Sequence, residues 1–434
     1  MATNLEKSFL LATWEGGGSV TPILTVARKL RAAGHRVRVI SDRCNRFEAE
    51  AAGAGFAAWT RAPSRPDRSR DSDVFRDWEA QSPPEQIGRV IDKIMTGPAL
   101  AYAQDVMEEL AREPADLVLT SEMLFGVMAG CEAAGQPFAI MTCNVNFFPM
   151  PGMPPVGPGL MPACTEDERT FHAEIAEANA MLFGSGLPAL NAARATLGLP
   201  PVASLDAQQA LSLALLIGTA RAFDFAPPEL PAGTSYVGPQ LDEPAWAHEW
   251  ASPWPAGDGR PLVLVAFSTT FQDHVGILQR IVDAAAGLDV RLLVTLGDTI
   301  APDEIRPAAN TVLVHSAPHD AVMPEAGLVI THGGHGTVTR ALAHGKPLIV
   351  VPHGRDQNEN AIRVAARGAG RWLTPGDDQA TFTAAIEELL GDVRYRAAAE
   401  ELGRQVAAEG RESPIVAKLE ELALRASRPT RQAA

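Results

Sequence analysis

Residues 327–337 read Gly-Leu-Val-Ile-Thr-His-Gly-Gly-His-Gly-Thr, and the run Pro352-His353-Gly354-Arg355-Asp356-Gln357 follows. The apolar start has the length and composition of a buried strand. The glycines permit a tight turn, and residues 336–343 then continue as a helix. Glycines at a strand-to-helix turn let backbone N–H groups approach an anion, and the helix N-terminus adds partial positive charge. His332 and Thr337 add side-chain donors beside those amides, so the turn suits a diphosphate. Asp356 and Gln357, a carboxylate and an amide, suit sugar hydroxyls.

The rhythm of strand, turn and helix extends outward from this turn. Upstream, strands are expected at 261–267, 291–295 and 311–315, with a helix at 274–286; downstream, 347–351 reads as a strand. Residues 380–420 are largely helical, with a break at Pro414. A similar unit opens the chain: a strand at 8–14, a turn at 15–19, a helix at 22–33 stopped by Gly34, and a strand at 37–41. Strands at 117–120 and 138–142 flank a helix at 126–134. Such alternation predicts an α/β fold with mostly parallel sheets. Two Pro-rich loops, 61–86 and 146–162, interrupt it; the second carries Met and Phe suited to lining an apolar pocket. The expected division is a domain at 1–238, a Pro- and Trp-rich linker at 239–260, a second domain at 261–405, and a C-terminal helix and tail at 406–434.

Bulk properties agree with two domains, since 434 residues exceed one ordinary core. A formal net charge of -15 offers no basic field to nucleic acid and no electrostatic attraction to anionic lipid. Cys44, Cys131, Cys143 and Cys164 show no paired metal spacing, and such sparse cysteine fits a reducing, cytoplasmic setting. The apolar run 9–14 is too short for a signal-peptide core, and no window reaches the ~20 apolar residues of a membrane span. A homodimer is left open.

The full register of His332-Gly333-Gly334-His335-Gly336-Thr337, Gly345-Lys346-Pro347, Pro352, Asp356-Gln357 and Asn360-Ala361 resembles the donor signature of the family 1 glycosyltransferases. These are nucleotide-sugar enzymes with two facing Rossmann-like domains (the GT-B architecture) and an active site between them. The resemblance implies that His332, Gly334, His335, Gly336 and Thr337 cradle the diphosphate of a UDP- or dTDP-sugar. It implies that Ser268, Thr269 and Thr270 approach the leaving phosphate. The base would lie near Ser316, Ala317 and His319, with the hexose on Asp356 and Gln357. No cofactor and no metal are implied. The partners would be a nucleotide sugar and an apolar small-molecule acceptor, without nucleic acid or stable membrane association. One departure is Arg340, where the family often has a ribose-binding Glu; a guanidinium has donors only.

A second departure concerns catalysis. The family's general base is a His in a His-x-x-Pro turn, oriented by an Asp at the end of a later strand. Here Ser19-Val20-Thr21-Pro22 puts Ser19 in the place of the His, and Ser121 stands in the place of the Asp. Three readings follow. Another side chain, Glu15, Glu122 or His172, acts as base; or the acceptor is acidic and Ser19 only positions it; or the chain binds nucleotide sugar as a non-catalytic auxiliary. A sugar-nucleotide epimerase of the same architecture is a further alternative, which would need internal acid/base carboxylates and no acceptor.

Overall fold

The computed structural model describes residues 6–242, 250–267 and 270–426. The first sheet contains β1 (Ser8–Ala12), β2 (Arg36–Ser41), β3 (Gly55–Ala58), β4 (Leu117–Ser121), β5 (Phe138–Thr142), β6 (Leu215–Ile217) and β7 (Thr234–Tyr236). The second contains β8 (Leu262–Ala266), β9 (Arg291–Thr295), β10 (Thr311–Val314), β11 (Ala326–Thr331), β12 (Leu348–Val350) and β13 (Gly370–Trp372). Every pairing in both sheets is parallel.

The central strands are near-continuous apolar runs because both sheet faces are covered. In β1, Phe9 and Leu11 join one core while Leu10 and Ala12 join the other. The second sheet repeats this, with Val263 and Val265 on one side of β8 and Leu262 and Leu264 on the other. Each fully buried Leu, Ile or Val contributes roughly 1.5–3 kcal/mol relative to exposure.

Strand order positions the site. The first sheet runs β3-β2-β1-β4-β5-β6-β7 and the second β10-β9-β8-β11-β12-β13. In each the winding direction reverses beside the strand that comes first in the chain, between β1 and β4 and between β8 and β11. Ligands of open parallel sheets bind in the crevice beyond the strand ends at such a reversal. The turn after β1 (residues 15–19) therefore lies beside Ser121 and Glu122 at the end of β4, and Phe267, just after β8, lies beside His332 after β11.

The C-terminal segment corrects the expected domain limits. A cut at 405 falls inside the continuous helix Val393–Arg411, and the break comes at residues 412–414 before the helix Ile415–Ala426. Ile415, Leu419, Leu422 and Ala423 of that last helix pack in the core of the first sheet with Phe9, Leu30 and Leu117. The chain thus returns to its first domain. Residues 243–249 of the expected linker lie outside the described residues. Among the described residues, no helix is long and apolar enough to cross a membrane.

Candidate active site

A cavity of about 630 Å³ separates the two sheets and is lined by both. The first domain contributes Trp14, Ser19, Phe75, Met95, Glu122, Phe147 and Phe183; the second contributes His332, Gly334, Thr337, Asp356 and Gln357. The first domain thus sets aromatic and aliphatic side chains among polar ones such as Glu15, Arg68, Asp77 and Glu122, while the second domain's share is mostly polar.

The glycine turn forms as it does because side chains would not fit. Gly333 has φ +97, and a Cβ there would stand 2.7 Å from Val350. A Cβ on Gly334 would strike the His332 ring at 2.7 Å. Gly336 differs, since nothing lies within 4 Å of the place a Cβ would take. No side chain caps the helix His335–Ala343, whose N-terminus at Gly334, Gly336 and Thr337 opens on the cavity. Asn360 ties the parts together. Its Nδ2 donates to the Gly333 carbonyl at 2.8 Å and to Asp356 Oδ2 at 2.9 Å, while His335 Nδ1 sits 3.2 Å from its Oδ1.

Electrostatically the cradle is set for an anion. Burial, then the neighbouring His353 and Arg355, lower the pKa of His332 to about 3. Burial lowers His335 to about 4, and burial with Arg340 does the same to His319. All three imidazoles are therefore neutral at pH 7, and neutral rings donate hydrogen bonds without carrying charge. Asp356 has its pKa raised by burial, against the hydrogen bond from Asn360. Gln357 is held by two neighbours: its Oε1 accepts from the His353 amide at 2.6 Å, and its Nε2 donates to Gln272 at 2.9 Å.

The three proposed bases separate clearly. Glu15 lines the cavity but accepts from Arg68 at 3.1 Å and from the Gly17 amide at 3.0 Å. Arg68 also holds Glu48 and Asn45, so Glu15 belongs to a charge network. His172 lies on the helix Glu166–Gly184, which sends Asn179 and Phe183 to the cavity; His172 is not among the lining residues. That corrects the expectation for His172: it stands on the same helix face as Asn179 but seven residues earlier, about 10 Å toward the helix N-terminus and outside the cavity lining. Glu122 is 3 % exposed, lines the cavity, and accepts a 3.0 Å hydrogen bond from Ser121 Oγ. Burial raises its pKa to about 7; the Ser121 hydrogen bond opposes the rise and the charge of Asp356 adds to it.

Ser19 also faces the cavity; its carbonyl accepts from Thr13 at 3.0 Å, and its hydroxyl has no partner among the described residues. Ser316, Ala317 and His319 line the cavity end that Arg340 reaches. Arg340 itself is buried, paired with Asp320 at 3.0 Å and donating to the Asp242 carbonyl at 2.9 Å. Thr270 lies behind the wall and accepts from Arg355 Nη1 at 3.0 Å; Ser268 and Thr269 lie outside the described residues. The sequence assigned no role to Arg355, which stands in the run 352–357, to Asn360, which stands in the motif register, or to Gln272, which belongs to neither.

Residues 279–422 match the family model described as "Erythromycin biosynthesis protein CIII-like, C-terminal domain". The chain is 28% identical over 420 residues to 4'-demethylrebeccamycin synthase of Lentzea aerocolonigenes, covering 92% of this chain and 95% of that protein. It is 30% identical over 288 residues to zeaxanthin glucosyltransferase of Pseudescherichia vulneris, covering 65% and 68%. In three dimensions it superimposes on the crystal structure of the kitacinnamycin glycotransferase with a TM-score of 0.74 at 19% identity, over 96% of this chain and 99% of that one.

Proposed function

The chain belongs to the family 1 glycosyltransferases of GT-B fold, and on that premise we propose that it is an inverting hexosyltransferase. It is a glycosyltransferase of natural-product type. In the proposed reaction a hexose moves from a UDP- or dTDP-sugar to a hydroxyl of an apolar, natural-product-like acceptor. The observation that carries this reading is one cavity that brings the aromatic cluster Trp14, Phe75, Phe147 and Phe183 of one domain opposite the glycine turn and Asp356 of the other.

The acceptor lies against Trp14, Phe75, Phe147 and Phe183, its hydroxyl toward Glu122. Glu122 removes the hydroxyl proton as the oxygen attacks the anomeric carbon. A base with a pKa near the working pH combines a useful ionised fraction with proton affinity. The bond to the diphosphate breaks on the opposite face, and the leaving group is received by the turn amides, His332 and Thr337. Fixed donors at this point stabilise charge that develops only in the transition state. We assign charge neutralisation there to the protein's own groups rather than to a metal. Ser19 then positions the acceptor.

A mass-spectrometric screen tests the reading: purified protein with UDP-glucose and dTDP-glucose against pooled phenolic and macrolide acceptors. A product heavier by one hexose, lost on His332→Ala, supports transfer. Donor conversion without acceptor supports the epimerase alternative, and nucleotide binding without product from a broad acceptor and donor panel supports the auxiliary one.

A further inference from the structure

We propose that Arg355 is a cationic ligand of the donor diphosphate beside the neutral donors of the glycine turn, held in place by the opposite domain. The inference rests on the donor reading above and extends it to a residue that the motif leaves unspecified.

Arg355 follows Gly354 in the loop before the helix Gln357–Ala366 and takes a left-handed backbone conformation, φ 55. The loop thereby projects its side chain into the cleft, where it lines the cavity. Nε donates to Asp77 Oδ2 of the first domain at 2.6 Å. Nη1 donates to Thr270 at 3.0 Å and reaches the Gly16 carbonyl at 3.5 Å. The guanidinium carbon stands 4.9 Å from the ring centre of Phe75. In the alternative orientation of its amide, which gives up the bond from Gln357 Nε2, Gln272 accepts instead from Arg355 Nη1 at 3.1 Å and Nε at 3.2 Å. Nη2 is left over: it is buried and has no hydrogen-bond partner among the described residues.

An unpaired buried guanidinium nitrogen is costly to keep, and such groups call for a ligand or another reason to exist. The surroundings identify the ligand as an anion at the phosphate turn. Arg355 is close enough to His332 and His274 to push both toward their neutral forms, and close enough to Asp356 to favour its ionised form. Its charge therefore acts on both the phosphate cradle and the hexose carboxylate. Arginine suits this place because its fork of donors matches phosphate oxygens and never loses its proton.

The anchor has a consequence for the two domains. Asp77 begins the short segment Asp77–Glu79 of the first domain, 278 residues from Arg355 in the chain. The donor clamp is complete only when the acceptor-binding domain supplies Asp77 and the Gly16 carbonyl. Engagement of the domains thus aims the guanidinium at the diphosphate.

Calorimetric titration of the intact protein with UDP and dTDP, with UMP and dTMP as controls lacking the β-phosphate, tests the proposal. Arg355→Met is expected to weaken the tighter-binding diphosphate roughly 10- to 100-fold, as for loss of a charged hydrogen bond. Monophosphate binding stays within about twofold, since the adjacent phosphate is not the one contacted. Arg355→Lys recovers part of the loss. The double variant Arg355→Met/Asp77→Asn avoids leaving Asp77 buried without its cation and should show the same loss. Diphosphate affinity within about twofold of wild type in both Met variants overturns the assignment and reduces Arg355 to an interdomain tie. Wild-type protein that binds neither diphosphate overturns the donor reading itself, and Arg355 with it.

Discussion

Glu122 of the first domain feels the negative charge of Asp356 of the second across the cleft, which helps burial raise its pKa to about 7. The two carboxylates bracket the space where acceptor and sugar would meet. This relationship separates the roles: a proton-accepting group on the acceptor side, a sugar-holding group on the donor side.

If Glu122 is the base, Glu122→Gln should lower turnover by about 10² to 10⁴-fold. Its effect on stability should run the other way. The folded pKa, about 7, lies above the ordinary glutamate value of 4.5, so the folded state keeps a proton that the unfolded chain releases between those values. The protein therefore loses stability as pH rises from 4.5 to 7, and the penalty persists above 7. At pH 8 the Gln variant should be more stable by on the order of 3 kcal/mol. Chemical denaturation of both proteins at pH 5 and pH 8 measures it; a variant less stable at both would assign Glu122 a structural role.

His332 acts as a neutral donor in this account, since burial lowers its pKa to about 3. His332→Ala should cost roughly 10² to 10³-fold in turnover, comparable to losing one fixed transition-state donor. His332→Asn or His332→Gln, which keep a neutral N–H, should retain more activity than Ala. Equal losses in all three, measured as kcat at saturating donor, would count against hydrogen bonding as its role.

Ser19 lines the cavity as an uncharged hydroxyl. Ser19→Ala should change kcat less than tenfold, well short of the ~10²-fold or more expected for a base, and should act mainly on the acceptor KM. A loss as large as that of Glu122→Gln would return catalysis to the turn after β1.

Arg340 is engaged by Asp320 and the Asp242 carbonyl and offers only donors. The ribose 2′-hydroxyl should therefore contribute little. UDP and 2′-deoxy-UDP should bind within about threefold of each other, less than a well-formed hydrogen bond would give. A larger preference for UDP would require another acceptor for that hydroxyl.

What could be read in the sequence was what is contiguous in it. The donor turn, its helix and the Asp356-Gln357 pair lie within one short register, and the long central strands announce themselves as apolar runs. Short strands at and near the sheet edges did not: β3, β6, β7 and β13 have three or four residues and no periodicity to detect. The helix Ile415–Ala426 shows helical spacing of Ile415, Leu419 and Leu422, but spacing does not say which sheet those residues cover. His172 is a titratable residue on the same helix face as Asn179, and only the place of the cleft along that helix shows that Asn179 and Phe183 line it while His172 does not. The Arg355–Asp77 pair spans 278 residues and two domains, a relation that no single-sequence pattern encodes.

The most direct test is the pH dependence of kcat/KM for hexose transfer, using the donor and acceptor found by the mass-spectrometric screen, in wild type and Glu122→Gln. The account predicts a wild-type rate that falls tenfold per unit as pH drops below about 7, following ionisation of one group, and a residual rate in the variant with that limb gone. An acid limb that survives unchanged in Glu122→Gln would contradict the assignment of Glu122 as the base.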